Sequence, residues 1–166
     1  MTNYTAALAA ALACYRLDTH NRPLRLVVER PGERDECALL PQQVSGSESV
    51  CGGFTFHILC VSESATLSLK DYIGVPIELQ VVTDSGNLRR WCGIVTGAAS
   101  GQSDGGLCTY KLTMRDALAV MEGQTNTRVF IEKNELEIIE LLFKGWQRKI
   151  PAFGATFALH IDAGLL

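Results

Sequence analysis

Between Pro76 and Arg115, apolar and polar residues alternate with the two-residue period of half-buried strands. Ile77, Leu79 and Val81 interleave with Glu78 and Gln80. Arg89 to Ala99 runs back through Trp91, Gly93 and Val95. Leu107 to Arg115 puts Cys108, Tyr110, Leu112 and Met114 on one face, and Thr109, Lys111, Thr113 and Arg115 on the other. Asp84-Ser85-Gly86-Asn87 joins the first two strands, because Gly and Asn tolerate the positive φ of a tight hairpin. Ser100 to Gly106, rich in Gly, Ser and Asp, reads as the second turn. Such a meander cannot bury its apolar face alone. The rest of the chain is expected to curl it into a barrel or to cover it.

Upstream, Leu24 to Glu29 predicts a first strand and Arg30 to Glu33 a turn. Cys37 to Ser45 predicts a second strand, at an edge because Pro41 has no N–H to give a ladder. Ser45 to Ser49 reads as a polar loop. Phe54, Phe56, Ile58 and Cys60 mark one face of a third strand, with Thr55 and His57 on the other. Leu67 to Ile73 predicts a helical turn or bend, closed by Gly74 and Pro76. Downstream come a short helix over Arg115 to Met121, ended by Gly123, and an extended piece at Thr127 to Ile131.

Asn134 to Gln147 is the clearest helix, with Asn134 as N-cap and Glu137 three residues on. Leu136, Ile139, Leu142 and Phe143 form its apolar face. Thr156 to Ile161 predicts a further strand without a visible partner, the expected start of a domain that continues in a longer protein. The organisation expected is a leader over 1–21, a β-barrel domain over 22–133, and a helix with the start of a following domain over 134–166. The fold class is mainly β, a β-rich α+β arrangement.

With 166 residues, 47% of them hydrophobic, the chain can bury a real core, which excludes a disordered or collagen-like protein. A net charge of −3 gives no general attraction to nucleic acid or anionic membrane. No apolar run approaches the roughly 18 residues of a membrane-spanning helix. The Ala-rich stretch Ala6 to Ala13 has no basic residue before it, so it reads as a short helix or arm instead of a signal peptide. The six cysteines are scattered without a CxxC pair, and Cys60, Cys92 and Cys108 fall within predicted strands. They read as free thiols in a reducing compartment.

A search for chemistry finds little. His57 and Cys60 are three apart in a strand and point to opposite faces, which argues against a metal site with Cys51. No His stands in a local signature with a cysteine nucleophile. Gly101 to Gly106 lacks the GK[ST] of a phosphate loop and leads into a strand. The carboxylates near Asn134 serve the helix dipole, and Arg89 and Arg90 are too few for a nucleic-acid patch. No catalytic, cofactor-binding or metal residue is assigned. The residues alone describe a binding or structural module.

Several segments stand in a recognisable order: Leu40-Pro41-Gln42-Gln43-Val44-Ser45-Gly46-Ser47-Glu48-Ser49, Phe54-Thr55-Phe56, Leu69-Lys70-Asp71-Tyr72-Ile73-Gly74-Val75-Pro76-Ile77, Trp91-Cys92-Gly93-Ile94-Val95-Thr96, Tyr110-Lys111-Leu112-Thr113, and Thr127-Arg128-Val129-Phe130 with Glu137-Ile138-Ile139. In this order they resemble the N-terminal hub region of the VgrG (Vgr/Rhs-associated) spike proteins of bacterial type VI secretion, similar to contractile phage tail hubs. Ile131-Glu132 departs from the aromatic or Gln that the family commonly has there.

The resemblance implies a small tube-type antiparallel β-barrel with one or two short accompanying helices, and a structural, non-enzymatic role. The implied partners are two further copies in a homotrimer of the full-length protein, a hexameric Hcp-like tube protein, and effectors further along the chain. The implied localisation is the bacterial cytoplasm before firing, then secretion by the contractile apparatus without a signal peptide. Candidate contact residues are Ser45, Gly46, Ser47 and Glu48, with Asp84 and Asn87 in the first turn and Gln102 and Asp104 in the second. The alternative is a stand-alone β-barrel ligand-binding module or a cysteine-dependent enzyme.

Overall fold

The computed structural model describes residues 22–30, 33–35, 39–104 and 106–150. The expected leader, Cys37, the tip of the first turn and the strand at Thr156 to Ile161 lie outside them. Seven strands are present: β1 (Leu24–Arg30), β2 (Glu33–Asp35), β3 (Leu40–Ser49), β4 (Gly53–Ser62), β5 (Pro76–Val82), β6 (Leu88–Ser103) and β7 (Cys108–Arg115). Two 3₁₀ segments, Leu69–Asp71 and Ala117–Gly123, and one helix, α1 (Glu135–Lys149), complete the described fold. The mainly β class read from the alternation is the class observed.

The strands form one antiparallel sheet in the order β2-β1-β5-β6-β7-β4-β3. The β5–β6–β7 meander lies at its centre. β6 is 16 residues long and serves two neighbours in turn. Leu88 to Ile94 pairs with β5, and Ile94 to Ser103 pairs with β7, with a register shift between Val95 and Gly97. A bulge of this kind bends a strand and strengthens its twist. The sheet therefore curls into a partly closed barrel in which β1 and β3 approach each other. Among the described residues no ladder joins those two strands.

One face of the sheet is the core. Leu26 and Val28 of β1, Ile58 and Cys60 of β4, Ile77 and Leu79 of β5, and Leu112 and Met114 of β7 are all buried there. They follow the two-residue alternation of the sequence. Neighbouring residues of β6 divide between two cores. Val95 points into the barrel, whereas Ile94 packs outside it with Ala117, Val120, Met121, Phe143 and Trp146. That second cluster seats α1 and the 3₁₀ segment on the outer face of β6. A glycine is needed one step earlier in the strand. A Cβ on Gly93 would stand 2.5 Å from the Arg115 carbonyl oxygen and 2.9 Å from Met114 Cε.

The helix starts as its sequence predicts. The Glu137 N–H donates to Asn134 Oδ1 at 2.8 Å, and the Asn134 N–H donates to Glu137 Oε2 at 3.1 Å. This reciprocal box satisfies two donors that an uncapped helix leaves open. Asp116 caps the preceding 3₁₀ segment, accepting from the Leu118 and Ala119 N–H groups. The segment is a 3₁₀ helix from Ala117, where the sequence suggested an ordinary short helix from Arg115.

Two expected turns need correction. Ser45 to Ser49 is the second half of β3, paired Ser45 to His57, Gly46 to Phe56, Ser47 to Thr55 and Glu48 to Phe54. The Ser-Gly-Ser-Glu-Ser run has weak strand propensity, and the aromatic and β-branched partners on β4 override it. Likewise Ser100 to Ser103 belongs to β6, so the second turn is shorter than Ser100 to Gly106. Pro41 behaves as expected: it sits on the outermost strand, next to a register shift between Pro41 and Gln43.

Candidate interaction surface

The eight candidate contact residues do not form one patch. Ser45, Gly46, Ser47 and Glu48 lie on the exposed edge strand β3, not on a loop tip. Asp84 and Asn87 lie in the β5–β6 turn, as read from the sequence. Gln102 is on the last turnward residues of β6, and Asp104 follows it in the β6–β7 turn. These two turns stand at opposite ends of β6, about 50 Å of strand apart.

The turns are braced internally. Gly86 has φ +79°, and its N–H donates to the Thr83 carbonyl at 2.8 Å. Asn87 accepts from the Thr83 N–H through its carbonyl at 2.8 Å, and its Nδ2 donates to Ser85 Oγ at 3.1 Å. Asp104 Oδ1 accepts from the Leu107 N–H at 2.7 Å and the Gly106 N–H at 3.0 Å. Those two backbone bonds hold its carboxyl below the usual aspartate range. Asp104 is thus already committed to its own turn, which leaves the side chains of Asp84 and Gln102 as the more available groups at the two ends.

The β3 edge is the more developed surface. From Gln42 to Ser49 it is exposed except for half-buried Val44. An outer strand presents unpaired backbone donors and acceptors, a template for another strand. Its one charged residue in that stretch is turned back toward the barrel. Glu48 Oε2 accepts from Arg89 Nη2 at 2.9 Å and from Trp91 Nε1 at 3.3 Å. The Arg89 guanidinium lies 4.3 Å from the centroid of the Trp91 ring, a cation–π contact. Trp91 in turn meets Phe56 edge-on at 5.5 Å, and Phe56 stacks on Phe54 at 5.1 Å. Sequence reading placed Arg89 and Trp91 on the strand that runs to Ala99. It did not find that both hold β3, because Glu48 was assigned to a loop.

The described cysteines are free, and two have thiols shifted away from reactivity. Burial pushes Cys60 up to about 12. Cys92 is also raised, by burial first and then by the Glu78 and Glu29 carboxylates. An activated nucleophile needs the opposite shift. His57 lies on the exposed outer face, with Nδ1 3.2 Å from Thr113 Oγ1, while Cys60 is buried on the inner one. Among the described residues no group of three His, Cys, Asp or Glu is placed to hold a metal ion.

This curled antiparallel sheet, with an open edge and a helix on its back, has counterparts among known proteins. The sequence profile of the phage tail baseplate hub (GPD) family matches residues 47–159, more than half of the chain. The chain belongs to the phage tail baseplate hub family. Its curated relatives include the type VI secretion system spike protein VgrG1b of Pseudomonas aeruginosa, 26% identical over 103 residues, covering 62% of this chain and 14% of that protein. VgrG1a of the same organism is 27% identical over 106 residues, covering 64% and 16%.

A solved structure adds the fold. It is the E. coli c3393 protein, described as a component of the type VI secretion system with structural similarity to the T4 bacteriophage tail proteins gp27 and gp5. It superposes with a TM-score of 0.56 at 14% identity, over 64% of this chain and 28% of that one. This hub chain therefore spans about a seventh of the length of the spike proteins it matches. The family resemblance read from the order of segments is the family found.

Proposed function

We propose that this chain is the barrel portion of a type VI secretion spike hub, and that it docks a spike trimer onto a hexameric tube protein. The observation that carries this reading is the hub-family match together with an open, exposed β3 edge on a rigid barrel. Such an edge gives main-chain bonding for a neighbouring barrel, and its exposed Ser45 and Ser47 present no charge against it. A stable contact of this kind buries on the order of 1,000 Å² or more. The role is structural, with Cys60 and Cys108 as buried core residues and not nucleophiles. Before firing the protein is held in the bacterial cytoplasm, and it leaves through the contractile apparatus with any effectors attached further along.

The test is co-purification of the cognate tube protein with tagged hub protein. The wild-type chain retains the tube protein. Ser45→Lys with Ser47→Lys, both on exposed side chains, releases it while the thermal midpoint is unchanged. Retention by the double variant contradicts the edge assignment. Failure of the wild-type chain to retain the tube protein contradicts the docking role itself.

A further inference from the structure

The stretch 125–131 lies between the second 3₁₀ segment and α1, and it makes no hydrogen bond among the described residues. Its side chains alternate between two environments. Arg128 and Phe130 face α1 and line a cleft of about 280 Å³ with Leu142, Gly145, Trp146 and Lys149. Val129 and Ile131 face the other way and are 84% and 77% exposed.

The charge around the cleft has one sign. Its lining holds two cations and no carboxylate. Arg128 has no ion pair among the described residues, and Lys149 Nζ donates only to the Gln124 amide at 3.0 Å while lying 5.5 Å from the Trp146 ring centroid. Three carboxylates of the neighbouring elements are paired with other cations: Glu122 with Arg115 at 2.9 Å, Glu140 with Lys144 at 3.0 Å and Glu137 with Lys133 at 3.7 Å.

We infer that this cleft binds an extended segment of a partner protein that carries a carboxylate beside an apolar side chain. The apolar side chain enters between Phe130 and Trp146. The carboxylate meets Arg128 and Lys149, and the segment's backbone bonds to residues 125–131 as an added strand. Val129 and Ile131 are covered by the same partner. The site lies on the helix-bearing side of the barrel and is separate from the β3 edge, so it goes beyond tube docking.

The experiment is a titration of the full chain with two blocked six-residue peptides, one alternating valine and glutamate and one alternating valine and lysine, read by calorimetry and by Trp146 fluorescence in a Trp91→Phe background. The valine–glutamate peptide binds saturably and the valine–lysine peptide does not. Arg128→Gln and Lys149→Gln each weaken binding about two- to fivefold, as loss of an exposed ion pair does, and added salt weakens it further. Gly145→Leu fills the cleft where a Cβ meets nothing within 4 Å. It abolishes binding without lowering the thermal midpoint, since leucine is the better helix former. Equal binding of both peptides, binding of neither, unchanged binding by the Gly145→Leu variant, or occupation of the cleft by a second copy or by residues 151–166 of the chain itself overturns the inference.

Discussion

The Glu48 carboxylate and the Arg89 guanidinium meet at 2.9 Å across 41 residues of sequence. Glu48 stands on the outermost strand and Arg89 at the start of the central one, three places away in the sheet order. Only a strongly curled sheet brings them together, so the pair is both a product of the barrel's curvature and a tie across it. Both side chains are about half exposed, which limits the energy of the contact. A double-mutant cycle with Glu48→Ala and Arg89→Ala should give a coupling of about 0.5 kcal/mol that falls in high salt. Chemical denaturation of the four proteins measures it.

Gly93 carries a larger share of the same curvature. Ala at this position drives a methyl into the Arg115 carbonyl and the Met114 and Phe54 side chains, all within 3.0 Å of the added carbon. Gly93→Ala should destabilise the barrel by about 1–3 kcal/mol, the usual range for overpacking. Urea unfolding gives the value, and a neutral substitution would show that β6 is not held against β7 and β4 as described.

The thiols provide a map of the fold. Cys51 is exposed, whereas Cys60 and Cys108 are buried, and Cys60 is raised to about 12. Alkylation at mildly alkaline pH followed by peptide mass analysis should label Cys51 quickly. Cys60 and Cys108 should label only after denaturant is added. Rapid, selective labelling of Cys60 in the folded protein would reinstate a cysteine-dependent activity.

Asp104 sets a pH dependence for the β6–β7 turn. Its folded pKa is lowered from the ordinary 3.8, chiefly by the Leu107 and Gly106 N–H groups. A depressed carboxylate stabilises the folded state above its unfolded pKa, and the contribution is lost as pH falls through the lower folded value. The Gly106 and Leu107 amide signals in NMR should therefore stay constant down to about pH 4 and move together with the Asp104 carboxyl below it. Asp104→Asn should remove that acid transition.

Those features that were legible in the sequence have strong local signatures. The β5–β6–β7 meander declares itself through alternation, the hairpin at Asp84 to Asn87 through Gly86, and α1 through the Asn134 and Glu137 box. The second half of β3 did not, because Ser45 to Ser49 has no apolar period and becomes a strand only by pairing with Phe54 to His57. The candidate contacts inherited that error: residues assigned to a loop tip are on a sheet edge. The cleft beside Trp146 was invisible for a related reason. Arg128 and Lys149 are 21 positions apart in the chain, and only the packing of α1 on Ile94 brings their elements together.

The measurement that tests the hub assignment most directly is the mass and composition of the native complex containing this polypeptide after gentle lysis. Three copies of the polypeptide's parent protein bound to a ring of tube protein is the predicted result. A monomer free of tube protein would contradict it.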